Sequence, residues 1–196
     1  MRLFKKNYEK YSDEELMLLY IEGDRKAFEQ IYARYGNYLV NYFNRKLWQD
    51  LEKAEDFTQE LFGKIIDRPE MFDTSKKFKT WLFTIANNMC KNEYKRVEIR
   101  KSTSHEVPEG FEAKSTSELA DKQLDKQTFA ESLQIELDKF KDKHKDVFML
   151  RHFEGLSLKE IAITLEINEG TVKSRLHFIT KALAEKLEIY RKLIAE

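Results

Sequence analysis

"SLKEIAITLEINEGTVKSRLHF", residues 157–178, is the stretch whose reading decides the fold. Ser157 caps a short helix in which Ile161, Ala162 and Leu165 face inward, with Ala162 small where a second helix must cross closely. "EIN" turns the chain, and Asn168, Gly170 and Thr171 open a second helix near Glu169. Val172, Leu176 and Ile179 repeat at helical spacing and pack inward. Two helices joined by a three-to-four-residue turn, the second with a polar outer face, make a helix-turn-helix. In that reading Lys173, Ser174 and His177 project into a DNA major groove, with Thr171 and Arg175 near phosphates. The competing reading is a helical hairpin whose basic face is merely solvated.

Working outward, Leu183 and Leu187 continue the last amphipathic stretch. Upstream, Val147, Phe148 and Leu150 begin one helix, and Phe129, Leu133, Leu137 and Phe140 form the stripe of another. The spacing predicts a small domain of four or five helices over residues 128–190. Before it the periodicity collapses. "KSTSHEVPEGFEAKSTSE", residues 101–118, carries Ser, Thr, Pro, Gly and Glu without a period, and residues 101–127 read as a flexible acidic linker.

The first half is a second helical domain, residues 12–100. Ser12 and Glu15 form a capping box in front of "EELMLLYIEGD". After Gly23 and Asp24, Phe28, Ile31, Tyr32, Tyr35, Leu39, Tyr42 and Phe43 recur at three- and four-residue steps. A third helix runs from about Lys53 to the Arg68-Pro69 step, and a fourth from about Phe78 to Glu98, with Trp81, Leu82, Ile85, Ala86, Met89 and Cys90 on one stripe. The fold class is all-α: two small helical domains joined by a flexible linker, the second containing the helix-turn-helix.

The chain is 196 residues with six glycines and two prolines, too few breakers for a turn-rich β protein. Cys90 is the single cysteine, which excludes an internal disulfide, and its place in the apolar stripe reads as a buried small hydrophobe. No run approaches a membrane span or a signal peptide, so a cytoplasmic protein is expected. The formal net charge is zero, yet the charges are segregated. Residues 76–101 hold eight Lys or Arg against two Glu, and residues 102–138 hold three Lys against nine Asp or Glu. Local field, not the total, therefore governs association.

Two further stretches carry chemistry. On the fourth helix Asn87, Asn88, Lys91, Asn92, Lys95 and Arg96 form a polar face suited to base edges and phosphates. Just upstream, "FDTSKKFK" sets Lys76, Lys77 and Lys79 beside two aromatics, a combination that suits unstacked single-stranded bases. In "AEDFTQELF", residues 54–62, Asp56, Gln59 and Glu60 share an exposed face while Phe57 and Leu61 turn inward. Paired carboxylates can ligate a metal or serve acid/base catalysis, but no histidine accompanies them, and a docking face for a basic partner helix is the better physical reading. No phosphate-cradling glycine loop, nucleophile elbow or zinc motif is present, so no enzyme, metal or cofactor is expected.

Together, "EGDRKAFEQIYARY", "AEDFTQELFGKI", "FDTSKKFKTWLFTIANNMCKNEYKR" and "VFMLRHFEGLSLKEIAITLEINEGTVKSRL" resemble, in order, the motifs of bacterial RNA polymerase sigma factors. The short two-domain layout is similar to the extracytoplasmic-function (ECF) group of the sigma-70 family. The likeness covers about residues 12–100 and 128–188. It implies a non-enzymatic subunit that directs RNA polymerase to promoters and initiates transcription. It implies that Asp56, Gln59 and Glu60 dock on the clamp helices of the polymerase's largest subunit, and that the second domain meets the flap of the second-largest. The loop 73–77 and the helix bearing Asn87 to Arg96 would capture and melt the downstream promoter element. Thr171 to Phe178 would read the upstream element as duplex, and the acidic linker would pass through the RNA exit path. An anti-sigma factor or another recruiting protein is a further partner of such proteins. Phe178 and Thr180 stand where relatives often carry basic residues, which thins the expected upstream contact. The alternative from another class is a stand-alone helix-turn-helix regulator, which would want more net positive charge.

Overall fold

A computed structural model describes residues 6–103 and 124–194, without the side chains of 101–103, 124–130 and 188–194. The chain divides into two compact units, Met1–His105 and Glu106–Glu196. All regular structure among the described residues is helical.

Unit 1 holds α1 (Asp13–Ile21), α2 (Arg25–Lys46), α3 (Leu51–Asp67) and α4 (Phe78–Thr103). Each start has a local cause. The Ser12 hydroxyl accepts from the Glu15 amide while the Glu15 carboxylate accepts from the Ser12 amide, a reciprocal box that fixes α1. Gly23 takes φ +100, a turn that a β-carbon would strain, and Asp24 then caps α2. Asp50 caps α3 through the Lys53 amide. The start of α4 is held from a distance: Phe78 N–H donates to Glu14 Oε1 at 2.9 Å, so α1 sets where the loop before α4 ends.

α2 is the central element, packed on α1, α3 and α4. Ile31, Leu39, Tyr42, Phe43, Leu61, Ile65, Leu82 and Phe83 are buried around it. Each such side chain contributes about 1.5–3 kcal/mol relative to leaving it in water. Cys90 lies in the same core, as its stripe predicts.

Between α2 and α3, Trp48 and Gln49 both adopt left-handed backbone, φ 57 and 60. Such conformations cost about 1 kcal/mol or more each in a non-glycine residue. Contacts offset it: the Trp48 ring meets Tyr94 edge-on at 5.5 Å, and the Lys53 ammonium sits 5.2 Å from the Trp48 centroid.

Unit 2 holds α5 (Leu124–Asp138), α6 (Asp142–His152), α7 (Leu158–Leu165) and α8 (Glu169–Ile194). Leu137, Phe148, Ile179 and Leu183 form its core, with Leu133, Phe140, Leu176 and Leu187 packed against it. The predicted stripes thus meet as expected, save Phe129, whose side chain lies outside the described residues. The segment read as a linker, 101–127, is trimmed at both ends: α4 runs on to Thr103 and α5 begins at Leu124. Residues 104–123 of it lie outside the described residues.

Candidate nucleic-acid and partner interfaces

The helix-turn-helix closes as its sequence dictates. Ser157 and Glu160 cap α7 reciprocally. α7 stops because Glu166 takes a left-handed backbone, φ 58, and its amide returns to carbonyls of α7. Asn168 then caps α8, its Oδ1 accepting from the Thr171 amide at 2.7 Å and from the Thr171 hydroxyl at 2.8 Å. Only residues 166–168 separate the two helices.

Val172 and Ile179 are fully buried. On the far side of α8, Lys173, Ser174 and His177 are exposed, while Thr171 and Arg175 are half-buried at the edge of that face. All five predicted residues are therefore on, or flank, one surface. Lys173 bridges to Glu169 at 3.0 Å within the helix, an exposed pair worth about 0.3–0.5 kcal/mol that a phosphate or base can displace. Phe178 is 52% exposed, its ring against His144 of α6 at 4.7 Å and Phe140 at 6.2 Å.

Two histidines of this unit carry a pH dependence. Burial first, then Lys143, Arg175 and Lys141, pushes His144 below the ordinary histidine value of 6.5. Desolvation beside the Phe148 ring, tilted against it at 4.5 Å, then Arg151, shifts His152 the same way, but its side chain is exposed and water screens most of the effect. The fold therefore prefers both neutral. Above the ordinary value neither state binds the proton, and stability is unaffected. As pH falls through it, the unfolded chain takes protons that the folded one resists, so stability is lost until the lowered values are passed. Melting of the chain from about pH 7 to about pH 5 should show unit 2 weakening. The His144→Gln/His152→Gln variant should flatten that dependence; an identical pH profile would show the two rings to be irrelevant.

In unit 1, α4 presents Asn88, Lys91, Asn92, Lys95 and Arg96 away from the core, Asn88 and Lys91 half-buried and the others exposed. Asn87 is a correction: it is 1% exposed and packs into the unit. At about 100° per residue it lies about 20° from Thr80, about 40° from Phe83 and about 60° from Cys90 around the helix, inside the arc those residues bury. The predicted apolar stripe is corrected at its other edge. Trp81 and Ile85 are only half-buried, and Trp81 stands two turns before Asn88 on the same face. The spacing 81, 88, 92, 95 was the available signal for it.

The loop before α4 differs from expectation in its aromatics. Lys76 and Lys77 are exposed and Lys79 is half-buried. Phe72 and Phe78, however, are buried at 3% and 0%, edge-on to each other at 5.3 Å, so neither ring is free to stack on a base. Trp81, 5.1 Å from Phe72 and 5.7 Å from Phe78, is the aromatic that reaches the surface there. Asp73 Oδ1 accepts from the amide and hydroxyl of Ser75, which shapes the turn and holds the Asp73 carboxyl below its usual range. Beside the loop a cleft of about 450 Å³ is lined by Asp13, Arg34, Tyr35, Tyr38 and Lys79. Arg34 pairs with Asp13 at 2.7 Å. Burial, with the Tyr35 hydroxyl donating to the Asp13 carboxylate, pushes the phenol strongly upward and keeps it protonated.

On α3 Asp56, Gln59 and Glu60 are exposed together, and Phe57, Thr58 and Leu61 turn inward. Glu60 pairs with Lys64 at 2.7 Å, one turn on. Among the described residues no cluster of His, Cys, Asp and Glu is arranged to hold a metal ion. No helix there is long and apolar enough to cross a membrane. The acidic helix is tied to the basic one by an ion pair that the sequence did not announce. Lys53 Nζ of α3 meets Glu93 Oε1 of α4 at 2.6 Å, with Glu93 6% exposed and Arg96 at 3.7 Å from its other oxygen.

Comparison with known proteins finds two family profiles, "Sigma-70 region 2" over residues 31–98 and "Sigma-70, region 4" over residues 137–183. The RNA polymerase sigma factor YlaC of Bacillus subtilis (strain 168) is 33% identical over 153 residues, which cover 78% of this chain and 87% of that protein. The ECF RNA polymerase sigma factor SigW of the same organism is 31% identical over 173 residues, covering 85% and 91%. Among solved structures, the sigma factor RpoE of Bartonella quintana, in complex with the anti-sigma factor NepR, superposes with a TM-score of 0.67 at 22% identity, over 84% of this chain and 98% of that one. CnrH, in complex with the cytosolic domain of CnrY, gives a TM-score of 0.63 at 20% identity, over 90% and 97%. These two likenesses bear on the fold alone.

Proposed function

Since this chain belongs to the sigma-70 family, in its extracytoplasmic-function group, we propose a division of labour among its surfaces. The protein directs bacterial RNA polymerase to promoters and initiates transcription, with core polymerase and promoter DNA as partners. It supplies specificity and position, and the polymerase supplies the chemistry of RNA synthesis. It works in the cytoplasm, where its polymerase is.

The observation that carries the reading is the sorting of charge by helix. The exposed face of α3 is acidic, and those of α4 and α8 are basic or amide-bearing. An acidic stripe repels nucleic acid and accepts a basic protein surface. Asp56, Gln59 and Glu60 dock on the clamp helices of the polymerase's largest subunit, and unit 2 meets the flap of the second-largest. Lys76, Lys77 and Lys79, with Asn88, Lys91, Asn92, Lys95 and Arg96, hold the downstream promoter element as it opens. Trp81 offers its ring to an unstacked base there, a contact worth about 1–3 kcal/mol. Thr171, Lys173, Ser174, Arg175 and His177 meet the upstream element as duplex. Residues 12–100 and 128–190 are the two working domains, and 101–127 connects them. An anti-sigma factor, such as the one bound to RpoE, covers these surfaces when the protein is idle.

A zero net charge suits a subunit that meets DNA only in a larger machine. Titrating the chain with core RNA polymerase, and separately with free duplex DNA, tests this. Tight polymerase binding with weak DNA binding is expected. Tight DNA binding with none to polymerase would overturn it in favour of a stand-alone regulator.

A further inference from the structure

The upstream-reading helix is thinly charged, because Phe178 occupies a position on the edge of its exposed face. What that ring does is visible. It packs against Phe140 and His144, the residues that flank the turn into α6. The same turn carries Lys141 and Lys143, both exposed. Their charge, with that of Arg175 from α8, converges on His144 and helps to keep it neutral. Acidic neighbours do not cancel them. Asp142 is taken by Lys145 at 3.1 Å and Glu136 by Lys139 at 2.6 Å. Among the described residues neither Lys141 nor Lys143 is held in an ion pair.

Position decides what this cluster can touch. A major groove about 12 Å wide admits one helix. A helix packed beside α8, roughly one diameter of 10 Å away, must therefore lie over the groove wall, where the phosphates run. Along α8 the order across the exposed surface is Lys173 and His177, then Ser174, then Phe178, Thr171 and Arg175, so the flank nearest α6 is the one already assigned to phosphate.

We propose that the turn entering α6 is a second DNA contact of unit 2, in which Lys141 and Lys143, held against α8 by the Phe140–Phe178–His144 packing, bind backbone phosphates beside the groove that α8 occupies. The proposal rests on α8 being the duplex-reading helix. It returns to this chain the positive charge that Phe178 removes from the helix itself. Being made to phosphate, the contact is indifferent to sequence and sensitive to salt.

The test uses the full chain and short mixed-sequence duplex DNA, with binding followed by fluorescence anisotropy across a series of low salt concentrations. For the Lys141→Gln/Lys143→Gln variant the slope of log K against log salt should become shallower by about two. Lys173→Gln, on α8 itself, serves as the comparison and should remove about one. A shallower slope for Lys173→Gln alone would overturn the phosphate contact and leave the α8 reading standing. No change for either variant would overturn both. Circular dichroism of each variant should match the parent, since all three side chains are exposed.

Discussion

Replacing Asp56 and Glu60 together with lysine should abolish binding to core RNA polymerase and leave the chain folded. Both side chains are exposed on α3, and neither belongs to the core formed by Leu61, Phe62 and Ile65. The one local interaction lost is the Glu60–Lys64 pair, about half exposed on both sides and worth roughly 0.3–0.5 kcal/mol. Lysine is a good helix former, so α3 itself loses little. Against a basic partner surface the exchange turns two attractions into two repulsions, and like charges brought together cost several kcal/mol. A loss of affinity of about a hundredfold or more is expected. Co-purification with core polymerase and a thermal melt, taken side by side, check it. Undiminished co-purification would remove the docking assignment from α3.

The largest effect on stability is expected at Glu93. Its carboxylate is 6% exposed and meets Lys53 at 2.6 Å. Removing one member of a buried ion pair strands the other, typically at a cost of 3–5 kcal/mol. Lys53 keeps a path to water, its side chain being 28% exposed, so Glu93→Ala should cost about 3 kcal/mol, near the low end. Arg96 at 3.7 Å is too exposed to change that figure. Replacing both partners, as Lys53→Met/Glu93→Leu, should recover most of the loss, because an apolar pair carries no desolvation penalty. Urea unfolding of the three chains decides it. Equal destabilisation of single and double variants would mean that Glu93 serves packing rather than charge.

The helix-turn-helix, the Ser12–Glu15 capping box and the Ser157 cap were legible because their signals are local. Ser157 and Asn168 each lie within three residues of the amides they cap, and a reader of sequence sees both ends. The polar face of α4 was legible only in part. Periodicity marks a stripe but not its edges: it sets Asn87 outside and Trp81 inside, whereas Asn87 is buried and Trp81 only half-buried. The loop aromatics failed for a different reason. Phe78 is buried against Tyr35, which comes from α2, and a Phe beside lysines looks the same in sequence whether or not such a partner exists. Lys53 and Glu93 stand 40 residues apart, and His144 meets Arg175 across a helix-turn-helix. No spacing rule reaches either pair. The acidic stripe on α3, by contrast, needed only i, i+3, i+4, and all three of its residues are exposed together.

The chain contains two tryptophans, and the fold has put one beside each of the two helices of unit 1 for which a partner is proposed. Trp48 stands 54% exposed where α3 begins, under the Lys53 ammonium, while Trp81 borders the loop and face assigned to the melted strand. They are, in effect, two built-in optical reporters. In a Trp81→Phe chain the emission left belongs to Trp48 and should shift as a protein surface covers it. In a Trp48→Phe chain the emission left belongs to Trp81 and should be quenched as a base stacks on it. The order of the two signals on mixing with polymerase and promoter would give the sequence of docking and opening with no dye attached.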